Sequence, residues 1–202
     1  MKDFWNERYA HQEYAYGVHP NQFLEDTIST LPIHGKIFFP AEGEGRNAVF
    51  AAKKGFQVFA FDLSCEGKNK ADKLADDFNV KIDYQVGTID DLDYEQAYFD
   101  GIVLIYAHFP MAIRKKIHLQ LLRFVKPKGI VIFEAFSKEQ LQFNSGGPKD
   151  FDMLFSEEEI KNEFPNVKFD FLKTEVIQLK EGEFHQGKAS VIRFVGIKEG
   201  LN

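Results

Sequence analysis

Two groups of residues in this chain are of types and spacings that could do chemistry. The first is Glu42-Gly43-Glu44-Gly45-Arg46, with Asp62 one strand later; the second is His108, just past the apolar run 101–105, with Glu134 following the run 130–133. Glycines in a tight turn let the backbone pass close beneath a ligand, and a carboxylate about 20 residues further on can accept both hydroxyls of a ribose. The first group therefore has the makings of a nucleoside site. An imidazole titrates near neutrality and suits proton transfer, so His108, and after it Glu134, are the candidate bases where an acceptor holds its proton.

Positioning the first group requires a strand, a turn, a helix and a second strand, and the sequence supplies all four. Residues 37–39 are an apolar run of strand length, 41–45 a glycine turn, 47–54 a helix stopped by Gly55, and 58–61 a second apolar strand ending in Asp62. The spelling G-E-G-R-N-A also satisfies the G-x-G-x-x-A form of the dinucleotide fingerprint, which leaves an NAD(P)-dependent oxidoreductase as an alternative. Charge weighs against it. A pyrophosphate on this turn would meet Glu42 and Glu44 with Arg46 as partial offset, whereas S-adenosylmethionine carries no phosphate and brings an ammonium and a sulfonium.

With E-G-E-G-R-N-A at 42–48, Asp62, W-N-E-R-Y at 5–9, Y-G-V-H-P-N-Q-F-L at 16–24, I-Y-A-H-F-P at 105–110, K-P-K-G at 126–129 and E-A-F-S at 134–137, the chain resembles a known family. The family is the class I S-adenosylmethionine-dependent methyltransferases, and within it the small tellurite-resistance and thiopurine-type branch. The resemblance implies S-adenosyl-L-methionine as cofactor and a site drawn from Ala41, Glu42, Gly43, Gly45, Arg46, Asp62, Leu63 and Tyr106. It further implies that Trp5, Arg8 and Tyr16 of an N-terminal lid lie near the cofactor's carboxylate end. Thr88 and Ile89 would meet the adenine, with Asp90 as a competing acceptor for its amine, and His108 would sit beside the transferred methyl. Phe39 and Ala41 stand where many members have an acid and a glycine. That departure keeps a third reading open, a non-catalytic module that binds the same cofactor.

Composition narrows the partners. A net charge of −6 and a pI near 5.6 offer no field for phosphate backbones, so nucleic acid is not an expected partner. The apolar runs are strand-sized, far short of the ~20 residues of a membrane span, and Met1-Lys2-Asp3 opens no secretion signal. A soluble cytoplasmic protein acting on a small molecule, without a metal, is expected. The one cysteine, Cys65, fits a reducing compartment and reads as a small residue in the first turn of a helix.

A chain of 202 residues with 44% hydrophobic content and 22 Phe suits one folded domain spanning 1–202. Residues 1–34 are expected to form a helical lid segment, in which Pro20 opens a helix with the stripe Phe23, Leu24, Thr27, Ile28 and Leu31. Ser64 reads as the N-cap of a helix carrying Ala71, Leu74, Ala75 and Phe78 on one face. A strand at 82–86 leads into the polar loop 87–93; then strand 101–105 is followed by a helix from Pro110, closed by 126–129, and by strand 130–133. His118, in that helix, reads as structural. The irregular stretch 138–155 is the expected substrate loop. Ser156 and Glu159 make a capping box, and the β-rich segments 167–179 and 189–197, joined by a polar turn, must pair antiparallel. The expected fold is a three-layer α/β, Rossmann-like methyltransferase fold: a seven-stranded mixed sheet ending in an antiparallel hairpin, with helices on both faces.

Overall fold

A computed structural model describes residues 1–30 and 34–200. Seven strands among them form one mixed sheet: β1 (Lys36–Pro40), β2 (Gln57–Asp62), β3 (Asp83–Val86), β4 (Phe99–Ile105), β5 (Val125–Phe136), β6 (Val167–Glu181) and β7 (His185–Lys198). Their order is β3-β2-β1-β4-β5-β7-β6, which is the expected Rossmann-like arrangement with a C-terminal hairpin. By compactness the chain divides into two units, Met1–Asp93 with Glu181–Phe184, and Tyr94–Lys180 with His185–Asn202.

In the first unit, β1 pairs with β2 and β2 with β3, all parallel. Ile37, Phe38, Phe39, Val58, Ala60 and Phe61 are buried on these strands, the two-sided burial expected of a parallel sheet. The helices are α1 (Lys2–Tyr9), α2 (Gln22–Thr30), α3 (Arg46–Lys53) and α4 (Cys65–Asp77). Helix α2 starts two residues later than the proline suggests, because Asn21 is its cap: the Asn21 carbonyl oxygen Oδ1 accepts from the Leu24 N–H at 3.0 Å. Leu31 of the expected stripe lies outside the described residues. Ser64 caps α4 as expected, accepting from the Gly67 N–H at 3.0 Å. Val49 of α3 packs with Leu74 and Ala75 of α4.

In the second unit, β4 and β5 run parallel while β5 and β7 run antiparallel. Helix α5 (Met111–Phe124) passes straight into β5, so the strand begins five residues before the expected 130 and absorbs Lys126-Pro127-Lys128-Gly129. A break in register makes this tolerable: Phe99 faces Val125, but Gly101 faces Ile130, and the extra residues bulge out around Lys128, whose φ is +67°. Helix α6 (Glu157–Glu163) opens on the expected capping box, the Ser156 N–H donating to Glu159 Oε2 at 2.8 Å and the Glu159 N–H to Ser156 Oγ at 3.3 Å. The stretch 138–155 is more ordered than its composition suggests, holding single 3-10 turns at Lys138–Gln142 and Phe151–Met153 and a bridge between Ser137 and Phe155. Phe133, Phe155, Phe164 and Phe194 interlock at its core with ring centroids 5.0–5.7 Å apart.

Candidate functional site

The glycine turn is built by β1 delivering Ala41 and by α3 starting at Arg46. Gly43 and Gly45 both have left-handed φ, +65° and +85°. A Cβ on Gly43 would fall 2.5 Å from the Tyr9 hydroxyl, and one on Gly45 2.5 Å from the Ala71 Cβ, so both positions require glycine for conformation and for space. Ala41, at φ +53°, tolerates the same region without glycine's freedom.

Glu42, Glu44 and Asp62 each have a defined task. Glu42 turns its Oε1 onto the start of α3, accepting from the Asn47 N–H at 2.9 Å and the Ala48 N–H at 2.7 Å. The helix N-terminus, the place where a dinucleotide would set its pyrophosphate, is thus already served by a carboxylate of the chain itself. Burial pushes the Glu42 carboxyl up to about 7, against the two N–H bonds and Arg46, which favour the ionised form. Glu44, 4% exposed, accepts from the Ala15 N–H at 2.9 Å and pairs with Lys70 at 2.7 Å, tying the N-terminal segment and α4 to the turn. Burial raises its carboxyl as well, with Lys70 opposing.

Asp62 ends β2 with its carboxylate accepting from the Gly43 N–H at 3.0 Å and the Ser64 N–H at 2.9 Å. These two bonds use one lone pair on each oxygen, which leaves acceptor capacity for the hydroxyls of a ribose. Arg46 pairs with Glu181 at 3.0 Å and also donates to the Tyr16 and His19 carbonyls. Arg8 donates to the Tyr16 hydroxyl at 3.0 Å and lies over the rings of Phe184 and Phe4, 4.2 and 4.8 Å from their centroids. Trp5 stacks on Tyr9. Leu63 is half-buried behind Asp62 in the chain. Thr88 caps the single turn Ile89–Asp91, its N–H and hydroxyl both donating to Asp91 Oδ2, at 2.7 and 2.8 Å. Ile89 is buried and Asp90 exposed.

Several residues of this unit were not legible as site residues. Tyr9 covers Gly43, and Tyr84 donates to the Gly43 carbonyl at 2.6 Å, so two buried hydroxyl-bearing rings brace the turn. Asn47 takes the Asn21 N–H, and Asn21 in turn donates to Glu181. The Trp5–Tyr9 spacing of one helical turn was the available signal for Tyr9; nothing local marks Tyr84 or Glu181.

In the second unit, β4 ends at Ile105; Tyr106, held at φ +53°, follows it, and His108 lies two residues further on. The His108 Nδ1 lies 2.9 Å from the Met153 carbonyl oxygen, which can only accept, so Nδ1 carries the proton and Nε2 is the bare nitrogen of a neutral ring. The residue keeps partial solvent contact, but Nε2 has none and no hydrogen-bond partner. Burial pulls the imidazole down to about 4, with His185 and Arg114 adding to the fall and the Met153 bond opposing it. An ionisation near neutrality, the ordinary property of a histidine base, is therefore absent here. Around it stand Phe136, Phe155, Tyr106 and His185, the last buried against both Tyr106 and Phe136. Glu134, fully buried, is engaged by Arg193, which also binds Glu175 at 2.8 Å. His118 is fully buried with Nδ1 on Glu163 at 2.7 Å.

No described helix is long and apolar enough to cross a membrane, and the described residues hold no cluster of His, Cys, Asp and Glu that could bind a metal ion. Residues 41–129, which run from the turn through β5's entry, match the model of a methyltransferase domain. No curated protein sequence matches the chain. Among solved structures it is similar to one described with the conversion of a disulfide bond into a thioacetal group during echinomycin biosynthesis (TM-score 0.79, 14% identity, 98% of this chain and 89% of the other). TehB from Haemophilus influenzae is similar at TM-score 0.71 and 15% identity over 98% of this chain and 67% of the other. An S-adenosylmethionine-dependent methyltransferase from Methanosarcina mazei is similar at TM-score 0.64 and 17% identity over 86% and 97%.

Proposed function

We propose that this chain, a methyltransferase with S-adenosylmethionine as its cofactor, passes the methyl group to a small-molecule acceptor in the cytoplasm. One observation carries the reading furthest: Glu42 seated on the N-terminus of α3, with Glu44 and Asp62 nearby in the same unit, makes a turn that favours a cationic, phosphate-free nucleoside. Asp62 would take the ribose hydroxyls, the turn 41–46 the methionine portion, and Thr88, Ile89 and Asp90 the adenine. The segment 1–34, with Trp5, Arg8 and Tyr16, would act as a lid, and 138–155 as the substrate loop. The motif E-G-E-G-R-N-A supports a place in the tellurite-resistance and thiopurine-type branch.

When bound, the cofactor supplies an activated methyl carbon open to in-line displacement. The protein's part is to align the acceptor and exclude water. For an acceptor that keeps its proton, the bare Nε2 of His108 is the atom to receive it, or to hold the donor in place; Glu134, already engaged by Arg193, comes second. Tyr106 and Phe136, stacked at 4.7 Å, would give the acceptor an apolar surface.

Calorimetric titration with S-adenosylhomocysteine and, in parallel, NADH tests the reading. Binding of the first alone is expected, with a raised melting temperature. Binding of NADH alone would transfer the protein to the oxidoreductases. Cofactor binding with no methyl transfer across a broad acceptor panel would favour the non-catalytic module.

A further inference from the structure

Arg114, on α5, is fully buried, an unusual place for the side chain that gives up its charge least readily. Glu163 answers it with both oxygens, at 2.8 and 3.1 Å from Nε, and Glu159 stands 3.6 Å from Nη2. The guanidinium carbon lies over Phe155, 4.0 Å from the ring centroid. Its remaining hydrogen bonds go to the backbone: Nη1 donates to the Leu154 carbonyl at 3.1 Å and the Asp152 carbonyl at 3.5 Å. Between those two carbonyls in the chain is Met153, whose own carbonyl accepts the His108 Nδ1 proton. Phe155, which follows Leu154, is fixed in turn by its N–H on the Phe136 carbonyl.

We propose that Arg114 is a positioning residue: by holding the Asp152 and Leu154 carbonyls it fixes the Met153 carbonyl between them, and so dictates that His108 presents a bare Nε2. A histidine side chain's tautomer is set by the bond its other nitrogen makes, and the Met153 carbonyl is that bond. Glu163 is the anchor that keeps the guanidinium in place, and it serves His118 from the same carboxylate. The inference rests on the reading of His108 as the group that meets the acceptor.

The test is a two-bond proton–nitrogen correlation spectrum of ring-15N histidine in the full-length protein at neutral pH, recorded for wild type, Arg114→Lys and Glu163→Gln. Titration with S-adenosylhomocysteine reports in parallel that each variant is folded. In wild type His108 should be wholly Nδ1-protonated. In Arg114→Lys it should become a mixture with Nε2–H, while His118, still bonded to Glu163, keeps its tautomer and ligand affinity is unchanged. Glu163→Gln should disturb both histidines. A folded Arg114→Lys variant with His108 still wholly Nδ1–H overturns the proposal, as does a wild-type spectrum showing Nε2–H, whichever variants fold. If the tautomer shifts as expected but His108→Gln retains full methyl transfer, the positioning role stands and the reading of His108 fails.

Discussion

The glycine turn of residues 41–48 and the Arg114–Glu163–His108 cluster both bury charge, in opposite ways. At the turn the excess is negative: Glu42 and Asp62 are bonded to backbone N–H groups, while Glu44 is paired with Lys70. In the cluster the charges cancel, Arg114 against Glu163, and the titratable ring beside them is neutral. Backbone N–H groups can hold a carboxylate without neutralising it, so the turn keeps a field that a cationic ligand can satisfy. A balanced pair exerts little field but fixes geometry strongly, because every displacement uncovers a buried charge. The first arrangement suits binding and the second suits orientation.

Breaking the balanced pair should have the largest effect. Arg114→Ala leaves Glu163 buried beside His118 without its cation, and a loss of roughly 3–5 kcal/mol in urea unfolding is expected, as for other broken buried pairs. Retention of wild-type stability would show the cluster to be solvated.

Asp62→Ala removes acceptors from the Gly43 and Ser64 N–H groups as well as from the ligand. S-adenosylhomocysteine affinity should fall by roughly 1.5–3 kcal/mol, with a smaller loss of stability from the two orphaned donors, and calorimetry alongside unfolding separates the two. Loss of stability with unchanged affinity would confine Asp62 to bracing the turn.

The sharpest form of the comparison is pH dependence, because Glu42 and His108 act with opposite sign. The Glu42 carboxyl is raised from 4.5 to about 7, so the folded state binds the extra proton between these values; its contribution is full below pH 4.5 and is lost as pH rises through about 7. The His108 imidazole is lowered from 6.5 to about 4, so the unfolded state binds the extra proton; its contribution is full above pH 6.5 and is lost as pH falls towards about 4. The two slopes oppose each other over most of that window. Glu42→Gln should therefore make stability rise with pH, and His108→Gln should make it fall, each by on the order of 1–3 kcal/mol across the window. Melting curves at half-unit intervals from pH 4 to 8 would show it; parallel profiles for both variants would sink the assignment of either group.

The smallest effect should come from the half-buried Lys68–Asp72 pair on α4, one turn apart at 2.5 Å. Asp72→Asn is expected to cost about 0.3–0.5 kcal/mol, and to lose even that in molar salt. A larger value would mean that α4 is held by its surface rather than by Leu74 and Ala75.

What the sequence determined by itself is what depends on near neighbours. The glycine turn, the Ser64 cap, the Ser156–Glu159 capping box and the alternation of apolar runs with helical stripes are all settled within a few residues, by backbone sterics and by side chains reaching their own N–H groups. From these follow the parallel strands, the terminal hairpin and the acidic turn. The fate of each acid was not legible in the same way. Glu42 and Glu44 carry the same chemistry two positions apart, yet one caps α3 and the other binds Lys70, a difference fixed by where α3 and α4 lie. Only the tertiary structure decided that Glu181 would answer Arg46 across 135 positions, and that residues 152–154 would fold back onto Arg114. His108 shows the reason most plainly: its type predicts titration near neutrality, but burial and a single carbonyl 45 positions away make it a neutral ring with a chosen tautomer. Burial and long-range pairing are properties of the packed chain, and no spacing in the sequence encodes them.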